Sequence, residues 1–251
     1  MTSMKGVILA GGLGTRLQGV TGGGNKHLVE ICGRAMVEYA TEAVALAGVG
    51  EVMVVSGTHD VPAFEQRLGD GRRFGVERLA YGAQRESRGI VDALAVAERF
   101  VDGDACLVVL GDNLFGDGLR DAVRGFGADG EGARFGVIWR GETSGLGVAR
   151  FAGEGPSQRL MDVEEKPIGG GPGWVVCGAY VYGADVFEMC RRVAPSARGE
   201  LEVTDLNRMY IEEGRAGWWE VRGWWCDAGT TAGLEEAQRL VSEEGANGVR
   251  R

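Results

Sequence analysis

The sequence of 251 residues is poor in lysine, histidine and proline, with three lysines, two histidines and five prolines. Two histidines, His27 and His59, are too few for an ordinary histidine metal site. The longest apolar stretches are only as long as strands, and the N-terminus lacks the pattern of a signal peptide. We therefore expect no membrane-spanning segment and no membrane partner.

The five cysteines are odd in number, widely spaced and without a Cys-x-x-Cys pair. They are Cys32, Cys106, Cys177, Cys190 and Cys226. This pattern favours reduced thiols in the core of a cytoplasmic protein over disulfides, a metal site or a catalytic thiol.

The formal net charge is −9, and the acidic residues are spread along the chain. This balance argues against nucleic acid or an anionic membrane surface as a partner. Small phosphorylated ligands remain compatible with it, because a local basic pocket can oppose the global charge.

The first half of the chain alternates short apolar runs with segments whose apolar residues recur every three or four positions. These patterns predict strands at residues 5–10, 51–56, 76–80 and 105–110, and helices at 36–47, 61–68 and 89–100. This order predicts a parallel sheet with helices on both faces and ligands at the carboxyl ends of its strands.

The second half predicts mostly strands with short glycine-rich connections, at residues 134–140, 147–151, 160–164 and 174–182. Helices are predicted at 184–192, 203–213 and 231–242. Residues 168–173 are typical of a hairpin loop, and the polar end at 243–251 is expected to fray. Because no repeat, linker or boundary interrupts the chain, residues 1–251 are predicted to form a single domain.

A glycine-rich turn follows the first predicted strand. Its residues are Gly11, Gly12, Leu13, Gly14, Thr15, Arg16 and Leu17. Glycines let backbone N–H groups approach a polyphosphate closely, and Arg16 and Lys26 can neutralise its charge. A dinucleotide fingerprint requires a glycine where Leu17 stands, and a P-loop requires Gly-Lys-Ser/Thr at residues 14–16. The turn therefore predicts a nucleoside triphosphate site of another kind.

The chain uses arginine for most of its positive charge, with 24 arginines against three lysines. A retained lysine therefore indicates a position that needs a compact ammonium. Lys26 and Lys166 lie beside motif-like sequence and are interpreted as functional, whereas chance explains Lys5 equally well.

Asp112 and Asp227 each follow a strand-like apolar run. A pair of aspartates at the sheet edge, with no histidine beside them, suits a hard cation such as Mg²⁺ that also binds phosphate oxygens. Either aspartate alone could instead be a turn residue or a helix N-cap. Residues 164–167 could be a solvated charge cluster or a ligand site, and the rarity of lysine favours the ligand site. Arg198 is free to reach an anion, although its surroundings alone are typical of a helix cap.

Together these motifs resemble those of the sugar-1-phosphate nucleotidylyltransferases, and within them the glucose-1-phosphate thymidylyltransferases. The matching segments are residues 5–17, 25–26, 110–113, 164–167, 195–207 and 227–230. The resemblance implies a three-layer α/β/α, Rossmann-like nucleotidyltransferase fold with a mixed, mainly parallel sheet. It also implies a nucleotide-binding half at about 1–113 and a sugar-phosphate-binding half at about 114–242.

The resemblance further implies that a sugar 1-phosphate oxygen attacks the α-phosphorus of a nucleoside triphosphate in line and that pyrophosphate leaves. Arg16 would hold the pyrophosphate, and Lys26 would neutralise charge around the reacting phosphates. Asp112 and Asp227 would hold Mg²⁺, the implied cofactor.

The remaining site residues also follow from the resemblance. The residues implied to bind the nucleotide are Gly11, Gly12, Gly14, Thr15, Gln84 and Gly89. Gln84 would read the base, and Gly89 would let the base lie close to the backbone. The residues implied to bind the sugar phosphate are Asn113, Gly147, Glu165, Lys166 and Arg198.

Several positions depart from the family pattern. His27 stands where the family usually has glutamine, Leu146 stands where a tyrosine is common, and Asp92 replaces a glutamine. The latter two changes leave the phosphate chemistry intact but bear on the choice of sugar. The chain also stops short of the family's helical tail, which is linked to oligomer contacts and a regulatory nucleotide site. This leaves the oligomeric state open, with a homo-oligomer as one option.

The leading substrates are dTTP and glucose 1-phosphate. UTP or CTP as donor, or another sugar, a cyclitol or a phosphonate as acceptor, would keep the same mechanism. An alternative of another class is a non-catalytic regulator that binds a sugar nucleotide. The joint presence of Arg16, Lys26, Asp112, Lys166 and Asp227 argues against that alternative, because a pure binder does not need both metal carboxylates.

Overall fold

The computed structural model describes residues 4–12, 14, 17–126, 132–153, 158–196 and 198–249, and only the backbone of residues 18 and 20. Its strands are β1 (Met4–Leu9), β2 (Glu30–Ile31), β3 (Arg34–Ala35), β4 (Glu51–Gly57), β5 (Arg78–Gln84), β6 (Ala105–Leu110), β7 (Asn113–Phe115), β8 (Ala133–Arg140), β9 (Gly147–Ala152), β10 (Arg159–Glu165), β11 (Gly173–Tyr182), β12 (Ala216–Glu220) and β13 (Trp225–Asp227). Its helices are α1 (Gln18–Thr21), α2 (Met36–Leu46), α3 (Val61–Leu68), α4 (Ile90–Ala95), α5 (Glu98–Val101), α6 (Arg120–Val123), α7 (Val186–Arg192), α8 (Val203–Glu212) and α9 (Thr231–Glu244). Short 3₁₀ turns lie at Lys26–Leu28 and Arg72–Phe74.

Nine of the described strands form one sheet. Its order is β10-β9-β11-β6-β1-β4-β5, with β8 beside β11 and β12 beside β8. The strand β1 runs parallel to β4 and β6, and β4 runs parallel to β5. The strand β11 is antiparallel to β6, β8 and β9. The parallel centre built by the first half and the antiparallel pairs of the second half confirm the predicted mixed sheet.

Helices cover both faces of this sheet. In β1, Val7 and Leu9 pack into one hydrophobic core, whereas Ile8 packs into another. Successive side chains of a strand point to opposite faces, so the two cores lie on the two sides of the sheet. The first core contains side chains of α4, α7 and α8, and the second contains side chains of α2 and α3. The three-layer fold is therefore confirmed.

The parallel strands bring candidate site residues to one edge of the sheet. Gly11 follows β1, Gln84 ends β5 and Asp112 follows β6. The backbone N–H of Gly111 donates to the carbonyl oxygen of Leu9 at 2.9 Å, which ties the ends of β1 and β6 together. This edge is where a doubly wound sheet binds its ligands.

Five short strands lie outside the predicted strand ranges, although the apolar run that ends at Asp227 in β13 was interpreted as strand-like. The hairpin of β2 and β3 has two residues in each strand, and β7 and β13 have three residues each. Such strands are too short to show a period of two. The fifth, β12, carries two consecutive tryptophans and is positioned by parallel pairing with β8.

Three predicted elements were wrong in their extent or type. The strand predicted at 76–80 is β5, Arg78–Gln84, because it pairs along the whole of β4 while Val76 is buried in the preceding turn. The helix predicted at 89–100 is broken into α4 and α5. Residues 168–173 do not close a hairpin, because β9 lies between the two strands, β10 and β11, that they connect.

The expectation that the chain frays from residue 243 is wrong for the described residues. The helix α9 continues to Glu244, and Asn247 is buried. Asn247 has a left-handed backbone, with φ of 56°, a conformation that asparagine tolerates better than most residues. Its backbone N–H donates to Phe115 at 2.8 Å, and its side chain donates to Tyr39 O at 3.0 Å. The polar composition of residues 243–249 gave no sign that Asn247 bonds to the end of β7.

Within the described ranges, no helix combines the length and the apolar character needed to cross a bilayer. The five cysteines all lie in these ranges as free thiols, four of them buried and Cys32 partly exposed. Burial raises the pKa of Cys226, next to Asp227, to about 12, so this thiol is protonated and is not a nucleophile.

Candidate active site

A cleft of about 390 Å³ opens at the carboxyl ends of the parallel strands. Twelve of the predicted site residues line it, namely Gly11, Gly12, Lys26, Gln84, Gly89, Asp112, Asn113, Gly147, Glu165, Lys166, Arg198 and Asp227. Gly14 lies beside it, since a Cβ at this glycine would be 3.3 Å from Lys26 Cβ. Thr15 and Arg16 lie outside the described residues, so their predicted roles remain predictions.

Lys26, Asp112 and Asp227 converge on one point beside Gly229. Lys26 Nζ donates to Asp112 Oδ2 at 2.5 Å. A Cβ built on Gly229 would lie 2.8 Å from Asp112 Oδ2, 2.9 Å from Asp227 Oδ1 and 3.3 Å from Lys26 Nζ. Only a residue without a side chain lets both carboxylates and the ammonium approach this point.

The small sheet of β7 and β13 brings the two aspartates together. Asp227 pairs with Asn113, and the backbone N–H of Ala228 donates to Asp112 O at 2.9 Å. The backbone N–H of Gly229 donates to Asp227 Oδ1 at 2.8 Å, which orients that carboxylate. Residues 115 positions apart in sequence therefore share one site because two three-residue strands pair.

Asn113 orients the Asp112 carboxylate. Its Nδ2 donates to Asp112 Oδ1 at 2.9 Å, and its Oδ1 accepts from Trp225 Nε1 at 2.8 Å. Gly178, with φ of 52°, leaves space for the Asn113 amide, because a Cβ at residue 178 would lie 2.6 Å from Asn113 Oδ1. The family resemblance implied contact with a sugar for Asn113, and the structure adds this supporting role.

The Asp112 carboxylate is ionised over a wide pH range. Burial alone would raise its pKa, but the Lys26 ammonium and the hydrogen bonds from Lys26 and Asn113 outweigh burial and lower the pKa to about 2. The site therefore keeps a negative charge beside Lys26.

Asn25 holds the 3₁₀ turn that carries Lys26. Its Nδ2 donates to Ala10 O at 3.0 Å and to Asp60 Oδ2 at 2.8 Å. Its Oδ1 accepts from the backbone N–H of His27 at 3.0 Å and lies 2.8 Å from His27 Nδ1. Because a carboxamide oxygen only accepts, His27 Nδ1 carries the proton of this contact.

His27 is buried in the wall of the cleft and is neutral. Burial, followed by the charge of Lys26, lowers the pKa of His27 to about 3. The unfolded chain binds a proton at His27 near pH 6.5, whereas the folded chain does not. The contribution of neutral His27 to the free energy of unfolding is therefore fully present at high pH. It is lost progressively as the pH falls below 6.5.

We expect the free energy of unfolding to fall by about 2 kcal/mol between pH 8 and pH 5 through His27 alone. Urea titrations at these two pH values should show this fall in the unsubstituted protein and a smaller fall in His27→Gln. His59→Gln, which changes an exposed histidine outside the cleft, serves as the control. The low pKa of Asp112 does not contribute, because its stabilisation is lost only below about pH 4. An equal fall in all three proteins would contradict the assignment.

A second charged group lies across the cleft around Glu165. Lys166 Nζ donates to Glu165 Oε1 at 2.7 Å, and Arg198 Nη2 lies 3.5 Å from the same oxygen. Thr204 Oγ1 donates to Glu165 Oε2 at 2.8 Å. Burial would raise the pKa of Glu165, but the hydrogen bonds from Lys166 and Thr204 outweigh it and lower the pKa. Gly147 pairs with Glu165 across β9 and β10, so it belongs to the same group.

Gln84 and Gly89 form the third part of the cleft. Gln84 is buried at the end of β5, and its Nε2 donates to Asp92 Oδ2 at 2.9 Å and to Gly89 O at 3.3 Å. Gly89 has φ of 112°, and a Cβ there would lie 2.5 Å from Leu201 O. Contact with the Leu201 backbone therefore accounts for glycine at this position, besides any contact with a ligand.

Several residues that build the cleft were missed by the sequence analysis. They are Asn25, Gly178, Thr204, Trp225 and Gly229. Thr204 and Gly229 lie inside segments that were singled out, but no role was assigned to them. Gly178 and Trp225 gave no signal, because each acts through Asn113 from a distant strand.

Comparison with known proteins shows the family of this chain. The nucleotidyl transferase family model matches residues 5–244. The glucose-1-phosphate thymidylyltransferase of Xanthomonas campestris pv. campestris (strain B100) is 36% identical over 244 residues, which are 96% of this chain and 81% of that protein. The enzyme of the same name from Mycobacterium tuberculosis (strain ATCC 25618 / H37Rv) is 36% identical over 242 residues, which are 95% of this chain and 82% of that protein.

Solved structures with a similar fold give the same family. A Bacillus anthracis protein described as a glucose-1-phosphate thymidylyltransferase, in complex with sucrose, matches with a TM-score of 0.86 and 36% identity over 96% of each chain. A UDP-glucose pyrophosphorylase complexed with UDP-glucose matches with a TM-score of 0.80 over 96% of this chain and 98% of that one. At 23% identity, the latter shows the shared fold alone. This chain belongs to the nucleotidyl transferase family of enzymes, and the relatives it resembles over almost its whole length are glucose-1-phosphate thymidylyltransferases.

Proposed function

We propose that this protein joins dTTP to glucose 1-phosphate and releases pyrophosphate. An oxygen of the sugar phosphate forms a bond to the α-phosphorus. The bond from the α-phosphorus to the oxygen that bridges to the β-phosphorus breaks, and its electron pair leaves with pyrophosphate. The names of the relatives support this pair of substrates.

The convergence of Lys26, Asp112 and Asp227 beside Gly229 carries the proposal. Two anions react in this chemistry, so the site must hold positive charge close to both phosphates. The Lys26 ammonium lies at one end of the cleft, and Lys166 and Arg198 lie around Glu165 at the other. This separation fits one triphosphate and one sugar phosphate that meet between the two groups.

We propose Mg²⁺ as the cofactor, held by Asp112 and Asp227. Two carboxylates leave the other octahedral positions to waters and phosphate oxygens, which is the coordination Mg²⁺ prefers. The space that a Cβ at residue 229 would fill lies between the two carboxylates and supports a shared ion. Among the described residues, no third histidine, cysteine or carboxylate completes a cluster. When bound, the ion would screen the charge of the α-phosphate from the incoming oxyanion.

Lys26 and the glycine-rich turn would position the triphosphate. Gly11 and Gly12 line the cleft without side chains, so phosphate oxygens can approach their backbone. The Lys26 ammonium, which now pairs with Asp112, would also contact the phosphates and would lower the energy of the charge that develops on them. Arg16 retains its predicted role of holding the departing pyrophosphate.

Lys166 and Arg198 would bind the phosphate of the sugar. Lys166 now donates to Glu165 Oε1, and Arg198 Nη2 donates to Glu202 Oε1 at 2.8 Å and lies 3.5 Å from Glu165 Oε1. A phosphate dianion would compete with these two carboxylates. Glu165 would then accept hydrogen bonds from sugar hydroxyls, with Gly147 and Asn113 beside the hexose. Leu146 lines the same part of the cleft and offers it an apolar surface.

Pyrophosphate release in the presence of Mg²⁺ tests the proposal across ATP, GTP, CTP, UTP and dTTP, each with a panel of sugar 1-phosphates. Release with dTTP and glucose 1-phosphate is the expected result. Release only with another donor or acceptor would keep the chemistry and overturn the proposed substrates. If no pair of substrates gave pyrophosphate release, and the protein still bound a nucleoside triphosphate, the result would favour the non-catalytic alternative.

A further inference from the structure

We infer that Asp92 determines which nucleobase this site accepts, by fixing the orientation of the Gln84 amide. The inference rests on the proposed function insofar as Gln84 faces the base of the donor. It adds Asp92, which does not line the cleft, to the residues that determine specificity. It also specifies which hydrogen-bonding edge of the base the cleft selects.

The partners of Gln84 Nε2 establish the amide orientation. Its two hydrogen-bond partners are Asp92 Oδ2, at 2.9 Å, and Gly89 O, at 3.3 Å. A carboxylate and a carbonyl oxygen only accept hydrogen bonds, so the side of the amide that faces them must be the NH₂ group. A flipped amide would place Gln84 Oε1 against the negative charge of Asp92 and would lose both bonds.

The other end of the amide faces the cleft. Gln84 Oε1 lies 2.9 Å from the position of a Cβ on Gly11, and both residues line the cleft. Among the described residues, no group donates a hydrogen bond to this oxygen. Gln84 therefore presents an acceptor to the ligand, and its donors are already engaged.

Asp92 is itself held in place. It lies in the first turn of α4, and Arg88 Nη2 is 3.5 Å from its other oxygen, Oδ1. The carboxylate is thus fixed between Arg88 and Gln84. An asparagine at this position could offer either its oxygen or its nitrogen to Gln84, so only the longer contact with Gly89 O, at 3.3 Å, would still favour one amide orientation.

An acceptor at this point selects bases whose pairing edge has a ring N–H. Uracil and thymine have a proton on N3, whereas cytosine has an unprotonated N3 whose lone pair would face Gln84 Oε1. Leaving a buried acceptor against another acceptor costs more than losing one hydrogen bond. The Asp92–Gln84 pair therefore favours a uracil-type base over cytosine.

The test compares dUTP with dCTP, and UTP with CTP, because each pair shares its sugar and lacks the 5-methyl group. We expect the unsubstituted protein to have a kcat/KM for dUTP at least about tenfold above that for dCTP. Asp92→Asn should narrow this ratio about tenfold or more, mainly by raising activity with dCTP. Asp121→Asn, which changes an aspartate in the first turn of α6, is the matched control and should keep the ratio.

Asp92→Ser serves as a second variant should Asp92→Asn fail to fold. An unchanged dUTP to dCTP ratio in a folded Asp92 variant would overturn the inference, as would an unsubstituted protein that accepts both donors equally. Calorimetric dissociation constants for the same four nucleotides give a readout that does not need turnover. Discrimination in binding without pyrophosphate release would uphold the inference and refute the proposed function.

Discussion

The substitution Asp112→Asn is expected to lower the rate of pyrophosphate release by about a thousandfold under saturating Mg²⁺. The asparagine keeps the shape of the side chain but removes the charge that pairs with Lys26 and that would share the cation with Asp227. It also leaves the Lys26 ammonium partly buried without its counter-ion, so we expect some loss of stability. Steady-state rates, together with thermal unfolding to confirm folding, give the comparison.

Asp104→Asn is the matched control for Asp112→Asn. Asp104 directly precedes the same strand, β6, at its other end, where it lies 3.7 Å from Lys5 Nζ. This partly buried pair is long and does not line the cleft, so the control should retain close to the full rate. A near-normal rate of pyrophosphate release in folded Asp112→Asn would show that Asp112 is not a catalytic residue.

The substitution Gly229→Ala is expected to lower the rate by about a hundredfold while the protein remains folded. Gly229 is not among the glycines with positive φ, so alanine is compatible with its backbone. The new methyl group would occupy the point shared by Asp112, Asp227 and Lys26 and would force these side chains apart. Displacements of this size disturb the geometry on which positioning depends.

Gly141→Ala separates this effect from that of any glycine substitution. Gly141 is exposed, is not among the glycines with positive φ and has no atom within 4 Å of a built Cβ, so its replacement should leave the rate unchanged. The apparent Mg²⁺ requirement of Gly229→Ala should also rise, because the two carboxylates no longer share one ion. Equal rates and equal Mg²⁺ requirements in Gly229→Ala and Gly141→Ala would show that the convergence of Lys26, Asp112 and Asp227 does not contribute to catalysis.

The sequence predicted the parts of the fold that depend on local pattern. The strands β1, β4 and β6 and the helix α3 appear within one residue of their predicted ends, since each has a long apolar period or a clear terminating glycine. The edge at which the ligand cleft opens followed from the order of strands and helices. Gly11, Gly12, Asp112 and Asn113 line that cleft because they follow β1 or β6 closely, and the other predicted site residues reach it from other strands and loops.

The sequence could not predict features that depend on contacts between distant segments. The strands β7 and β13 exist because they pair with one another, and their pairing is what brings Asp227 to Asp112. In the same way, the orientation of Gln84 depends on Asp92, and glycine at residue 89 is explained by the Leu201 backbone. None of these contacts leaves a periodic signal in a single sequence.

The most direct test of the proposed chemistry follows labelled oxygen. Glucose 1-phosphate that carries ¹⁸O at its non-bridging phosphate oxygens is incubated with dTTP, Mg²⁺ and the protein. The ¹⁸O content of each product is then measured by mass spectrometry. In-line attack by the sugar phosphate on the α-phosphorus predicts that the sugar nucleotide contains all of the label and that pyrophosphate contains none. Label in the pyrophosphate, or pyrophosphate formed without a sugar nucleotide, would contradict the account.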